Sequence, residues 1–136
     1  MPRSAELTAG AGLAITAESL YLINLLLAPG IGFLALLWLW TRGHALAPPL
    51  AAAHLSQTMS ASLWAGILLV PASGLILLLG DHRSPGVWAV VIVYFTVCHA
   101  ALVLCGALGL AKALAGQCWR FPLVGRPLPA GCNTRG

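Results

Sequence analysis

The run VWAVVIVYFTVCHAALVLCGALGLA, residues Val87 to Ala111, contains no charged side chain. At about 1.5 Å per residue it is long enough to cross a hydrocarbon core of about 30 Å as a helix. Trp88 marks one edge of this run and Lys112 the other, so His99 falls near the middle. The pattern predicts a transmembrane helix with a histidine at mid-bilayer.

His99 is the most informative polar residue of this run. Ionisable side chains are costly inside a membrane and rarely face lipid, so we expect His99 to face another helix, a partner subunit or a ligand. A hydrogen bond to a neighbouring helix is the commoner case. The alternative is that His99 is the axial ligand of a haem or of a chlorophyll-type magnesium. No cofactor is required by the sequence, and bound lipids are the other expected small molecules.

Composition places the whole chain in the membrane class. Of 136 residues 60% are hydrophobic and only 7% charged, against a charged fraction of about 25% in soluble domains. We therefore expect a single membrane domain over residues 1–136 with no soluble catalytic part. Seven scattered basic residues make a poor track for nucleic acid. Phosphate-binding, nucleophile-elbow and zinc-protease motifs are absent, so the sequence indicates neither an enzyme nor a metal site.

The apolar runs predict an all-α membrane protein with three transmembrane helices, at about 19–40, 59–80 and 87–111. Pro29 and Gly30 favour a kink near the middle of the first span. The polar residues between Leu50 and Ser62 predict a lead-in to the second span that runs along the interface. Three prolines after Lys112 prevent a long helix there, so residues 112–136 form an irregular tail.

The charges predict the orientation. Five basic residues fall in the first loop and the tail, whereas the N-terminus and the second loop together carry a net charge of −1, with Glu18 counted on that side. By the positive-inside rule the tail is cytoplasmic and the N-terminus periplasmic. The expected location is the bacterial inner (cytoplasmic) membrane, as a multi-pass protein.

The four cysteines do not suggest a disulfide framework. Cys98 and Cys105 lie in the apolar run, Cys118 and Cys132 lie in the tail, and no C-x-x-C pair occurs. We expect small hydrophobic side chains in the span and reduced thiols in a cytoplasmic tail.

Three groups of residues are candidates for contact with other helices or with the membrane surface. Small residues recur every four positions in the last span and favour close helix packing. Two polar residues, one helical turn apart, form a candidate interfacial hydrogen-bonding pair. Aromatic and arginine residues in the tail are typical of a membrane-surface anchor. The groups are Ala101, Cys105 and Gly109; His54 and Gln57; and Trp119, Arg120 and Arg126.

Three motifs resemble those of a known family. They are Pro29-Gly-Ile-Gly32 in the first span, Pro49-Leu-Ala-Ala-Ala-His-Leu-Ser-Gln57, and Gly116-Gln-Cys-Trp-Arg-Phe-Pro122. The chain is in this respect similar to small bacterial membrane proteins of unknown function that are related to a chloroplast inner-envelope protein-import component. The resemblance implies a helical bundle and no reaction. The chain departs from the family in Pro49-Leu50, where an aromatic residue is usual, and in its histidine within the last span.

The sequence therefore favours a non-catalytic accessory subunit of a larger membrane complex, of the respiratory or photosynthetic kind. Its expected partners are other membrane subunits and the lipid bilayer. One alternative is a pigment- or haem-binding protein that uses His99. The other is a component of a protein-translocation or transport system, because proline-broken spans often surround midplane substrate sites.

Overall fold

The computed structural model describes residues 10–132, and every regular element within them is helical. A 3₁₀ turn at His44–Leu46 connects the second helix to the third. The predicted all-α class is confirmed. The helices are α1 (Ala11–Leu26), α2 (Ile31–Gly43), α3 (Pro49–Leu69), α4 (Pro71–Leu79) and α5 (Pro85–Leu114).

The predicted first span, 19–40, is not one helix. Gly30 adopts φ 87°, a conformation that glycine reaches without strain, and the chain reverses there. A Cβ on Gly32 would lie 2.7 Å from the Cα of Asn24, and a Cβ on Gly43 would lie 3.6 Å from the side chain of Leu13. These paired positions make α1 and α2 an antiparallel hairpin.

Neither helix of the hairpin is long enough to cross a bilayer. With 16 and 13 residues, α1 and α2 extend about 24 and 20 Å, against about 30 Å of hydrocarbon. Two helices are long and apolar enough to cross a membrane, namely Pro49–Leu79, bent at Pro71, and Pro85–Leu114. The prediction of three spans is thus not confirmed, and the second and third predicted spans coincide with the two candidate membrane-spanning helices.

The residues between Leu50 and Ser62, predicted as an interfacial lead-in to the second span, form the first half of α3. Helix α3 runs unbroken from Pro49 to Leu69, and residues in its first turns, such as Ala51, His54 and Leu55, are fully buried. The reason is that α1, α2 and the tail cover this part of α3. Its polar side chains face protein groups, as described below.

Helix α1 lies at the centre of the bundle, in contact with α2, α3 and α5. Ala17 packs with Leu36 of α2 and Leu55 of α3, and Tyr21 packs with Ala61. On the other side Gly106 lets α5 approach closely, because a Cβ there would lie 2.6 Å from the Tyr21 ring. The core therefore forms around α1. On the sequence alone, part of this helix, with Glu18, is counted among the N-terminal residues that precede the first span.

Two ends of the bundle can be distinguished. At the tail end, Ala14 packs with Leu50 and Ala113, and a Cβ on Gly10 would lie 3.2 Å from the backbone of Ala51. The loop end carries the connection from α4 to α5. Helix α1 begins at the tail end, and the antiparallel α2 returns the chain to it. Gly10 and the tail therefore lie at the same end of the bundle.

In this arrangement Gly10 and the tail lie at the same end of the bundle, whereas the sequence predicts the N-terminus and the tail on opposite sides of the membrane. Residues 1–9 and 133–136, with Arg3, Glu6 and Arg135, lie outside the described residues. Of the described basic residues Arg42, Lys112, Arg120 and Arg126 belong to the tail end, and Arg83 belongs to the loop end. The positive-inside rule favours a cytoplasmic tail end, whereas the tail disulfide described below is typical of an oxidising compartment, so these two signals point to opposite sides.

Candidate functional site

A buried acid–histidine pair joins α1 to α3 near the tail end. Glu18 and His54 are both 0% exposed, and Oε1 of Glu18 lies 2.6 Å from Nδ1 of His54. Nε2 of the same ring lies 2.9 Å from the backbone carbonyl of Gln117. A carbonyl only accepts, so Nε2 carries a proton and donates it there. The short bond to Glu18 then holds one further proton, on the imidazole or on the carboxyl group.

The sequence interpretation missed Glu18, because it counted this residue with the polar N-terminus. In the structure Ala14, Ala17, Glu18 and Tyr21 form the buried face of α1. The helical spacing of small residues around the acid was the available signal. On the sequence alone this acid is assigned to the outer side or its boundary, whereas in the structure it is fully buried within the bundle.

The second carboxylate oxygen of Glu18 is packed tightly against α5. Oε2 is buried and has no hydrogen-bond partner among the described residues. A Cβ on Gly109 would lie only 2.5 Å from this oxygen. Glycine is therefore required at position 109 for α1 and α5 to close over the acid.

Gln57 binds the tail to α3. Its Nε2 donates to the carbonyl of Arg126 at 2.6 Å, and its Oε1 accepts from the backbone N–H of Arg126 at 3.1 Å and of Phe121 at 3.3 Å. One turn along, Ser60 donates to the carbonyl of Val124 at 2.7 Å. The predicted pair of His54 and Gln57 thus contacts the chain's own tail, through backbone atoms.

Phe121 is the tail side chain that is most deeply buried in the bundle. Its side chain is buried and meets the Tyr21 ring edge-on, with 5.5 Å between the ring centroids. Trp119 is partly buried against the same cluster, while the side chains of Arg120 and Arg126 are exposed. Of the residues predicted to anchor the tail at the membrane surface, the two arginines are therefore the exposed ones.

A disulfide joins Cys118 to Cys132, with 5.8 Å between their Cα atoms. The prediction of reduced, unpaired tail cysteines was wrong. The tail turns back along α3, and this brings together two residues that are 14 apart in sequence. Cys98 and Cys105 are free thiols, half-buried on α5.

The predicted small-residue stripe of α5 is only partly turned inward. Gly109 is buried against Glu18, Cys105 is half-buried near Tyr21, and Ala101 is exposed. The inward face is instead formed by Leu102, Gly106, Gly109 and Ala113. Ala101 therefore remains open to lipid or to another helix.

A second polar group, at mid-depth, holds the turn between α1 and α2. Oδ1 of Asn24 accepts from the backbone N–H of Gly30 at 2.9 Å and of Phe33 at 3.0 Å, which caps the start of α2. Nε2 of His99 donates to the carbonyl of Leu25 at 3.1 Å. Pro29 has no N–H, so this carbonyl has lost its usual helical donor, and His99 replaces it.

The hydrogen bond from His99 to Leu25 limits how His99 could bind a pigment or a haem. The His99 ring stacks on Phe95, with 5.8 Å between centroids and 9° between planes. Because Nε2 is engaged with Leu25, a metal at the centre of a flat ring would have to bind Nδ1 or displace that bond. An axial-ligand role for His99 stays a prediction, and an absorption spectrum of the purified protein tests it.

Comparison with known proteins finds no protein family, curated protein or solved structure that matches the chain. The resemblance to bacterial relatives of the chloroplast import component stays a prediction. The site and its chemistry carry the functional argument alone.

Proposed function

We propose that the chain is a non-catalytic accessory subunit of a larger membrane complex, which packs its two long helices against partner subunits. The observation that carries the proposal is the contrast between its polar and apolar groups. The buried polar side chains at the tail end bind internal protein groups, whereas the apolar surface at the loop end has little cover from the chain itself.

The polar groups support a structural role. His54 and Gln57 are both fully buried, and their partners are a carboxylate and backbone groups of the same chain. A catalytic or transporting residue must reach a substrate, which these side chains do not. Their bonds instead join α1, α3 and the tail into one unit.

The loop end supports a partner-binding role. No residue of α4 is buried, and Leu78 is 84% exposed. Ile92 and Val93 of α5 are also exposed. In lipid, helices associate through close packing and not through the burial of apolar surface. Helix α4 and the start of α5 have few packing contacts within the chain, so a partner that packs against them would stabilise them. We call the exposed apolar side chains of this end, Leu75, Leu78, Leu79, Val90, Ile92, Val93 and Val97, the loop-end surface.

Native electrophoresis after mild detergent extraction tests the proposal. The chain, tagged and expressed at its native level, is expected to migrate with other subunits, well above its own mass of 14.1 kDa. Leu78→Trp with Ile92→Trp should release it from them. Leu46→Trp is the matched control, because Leu46 is 94% exposed but belongs to the tail end. Migration of the unmodified chain alone, with no co-purifying subunit, would contradict the proposal.

A transport or protein-translocation component is the second candidate. Half-length helices that meet at a proline-containing turn resemble the broken helices of transporters, and α1 and α2 have this form. Two long helices are too few for a pore, so this function requires several copies. Crosslinking in membranes that finds only monomers would exclude it.

A further inference from the structure

A cavity of about 530 Å³ lies where the turn between α1 and α2 faces the bend between α3 and α4. Helix α5 forms the third wall, through Phe95 and His99. The volume is within the range of about 300–1,000 Å³ that is typical of small-molecule sites. No described residue of the lining is charged. An occupant must therefore be uncharged and largely apolar.

Three polar groups of the lining have hydrogen-bonding capacity to spare. Ser62 is 4% exposed, and its Oγ has no partner among the described residues. His99 uses only Nε2, so in the neutral ring Nδ1 is an acceptor. The carbonyl of Ile67 has lost its helical donor, because position 71 is a proline. The lining residues thus carry one buried hydroxyl without a partner in the described part of the chain, one imidazole nitrogen that accepts and one carbonyl without a helical donor.

We propose that this cavity binds an uncharged, membrane-soluble ring compound that carries a hydroxyl group, of the phenol or quinol class. A hydroxyl donates to an imidazole nitrogen or a carbonyl and accepts from Ser62. A flat ring fits beside the stacked rings of Phe95 and His99. The alternative occupant, the acyl chain of a phospholipid, uses none of these polar groups.

Two ligands that differ only in their hydroxyl groups test the hydrogen bonds. Decylubiquinol and its dimethyl ether have the same ring and tail, but the ether cannot donate. With the protein in phosphatidylcholine nanodiscs under anaerobic conditions, we expect the quinol to bind at least tenfold more tightly by equilibrium dialysis. Ser62→Ala removes a donor to the ligand oxygen and should weaken quinol binding about threefold or more.

A pair of glycine substitutions tests the position. A Cβ on Gly66 or on Gly74 meets nothing within 4 Å, so a leucine at either position has room at its base. Only Gly66 lines the cavity. Gly66→Leu should therefore weaken quinol binding at least tenfold, and Gly74→Leu should leave it within twofold.

Equal affinity for the quinol and its ether, or unchanged quinol binding in Gly66→Leu, would overturn the proposal. So would mass spectrometry of the protein from native membranes, if it finds only phospholipid retained by the unmodified chain and lost in Gly66→Leu. These results do not depend on migration in native gels, so the ligand proposal and the subunit proposal fail separately.

Discussion

At the tail end, α1, α3, α5 and the tail enclose an acid, a histidine and a glutamine that are completely buried, whereas at the loop end α4 has no buried residue. The first region is held by specific polar bonds, and the second consists of two apolar helices that meet few other groups of the chain. The difference indicates that the tail end specifies the fold of this protein. The loop end is the part available to lipid or to other subunits.

The largest expected effect is the loss of the buried acid. Glu18→Ala leaves His54 without its partner in the protein interior, and breaking a buried pair in this way costs about 3 kcal/mol or more. Thermal unfolding in detergent should show it. Glu18→Gln keeps the shape and one hydrogen bond, so it should retain part of the stability. Equal unfolding temperatures for Glu18→Ala and the unmodified protein would show that the pair does not hold the tail end.

The next effect is reduction of the disulfide. Closing a loop of this length stabilises a fold by about 3 kcal/mol, so Cys132→Ser should unfold at a clearly lower temperature. Cys98→Ser, which changes a free thiol on α5, is the control. Alkylation of the unfolded chain should label two cysteines without reductant and four with it. Four labelled cysteines without reductant would contradict the pairing.

Close packing of α5 on α1 gives a third test. Gly109→Ala places a methyl group against the Glu18 carboxylate, and overpacking of this kind costs about 1–3 kcal/mol. Gly74→Ala, with open space at its Cβ, should instead stabilise α4 slightly, through better helix propensity. If both variants unfold alike, the tail end is less tightly packed than described.

The tail should detach when Gln57 is changed. Gln57→Leu removes the amide that binds the backbone of Phe121 and Arg126, so trypsin should cut after Arg120 several times faster. Ser56→Ala removes bonds to a carbonyl of its own helix and to His44, neither of which belongs to the tail, and should leave cleavage unchanged. Equal cleavage rates in the two variants would show that Gln57 does not secure the tail.

The smallest effect is expected at the loop end. Leu78→Ala and Ile92→Ala remove exposed apolar side chains, so each should change the stability of the isolated protein by less than about 0.5 kcal/mol. In native membranes the same variants should weaken the association with partners. A loss of stability comparable to that of Gly109→Ala would end the distinction between the two regions.

The sequence predicted the two long helices well, because uncharged apolar runs of that length have few other structures available. It could not distinguish a kinked span from a hairpin at Pro29, since both satisfy a 22-residue apolar run with a central break. The packing of Gly32 on Asn24 and of Gly43 on Leu13 decides that question. The pairs Glu18 with His54 and Cys118 with Cys132 depend on that reversal and on the folded tail, so their local patterns did not reveal them.

The central claim is that the α1–α2 hairpin brings Gly10 and the tail to one side of the membrane. One cysteine at a time is introduced at Gly12, Arg126 or Arg83, in chains with Cys98 and Cys105 replaced by alanine and the Cys118–Cys132 disulfide kept oxidised. Each introduced cysteine is then the free thiol that a membrane-impermeant maleimide can label in sealed vesicles. We predict that Gly12→Cys and Arg126→Cys react from the same side and Arg83→Cys from the other. Labelling of Gly12→Cys together with Arg83→Cys, opposite to Arg126→Cys, would contradict the hairpin and restore a full first span.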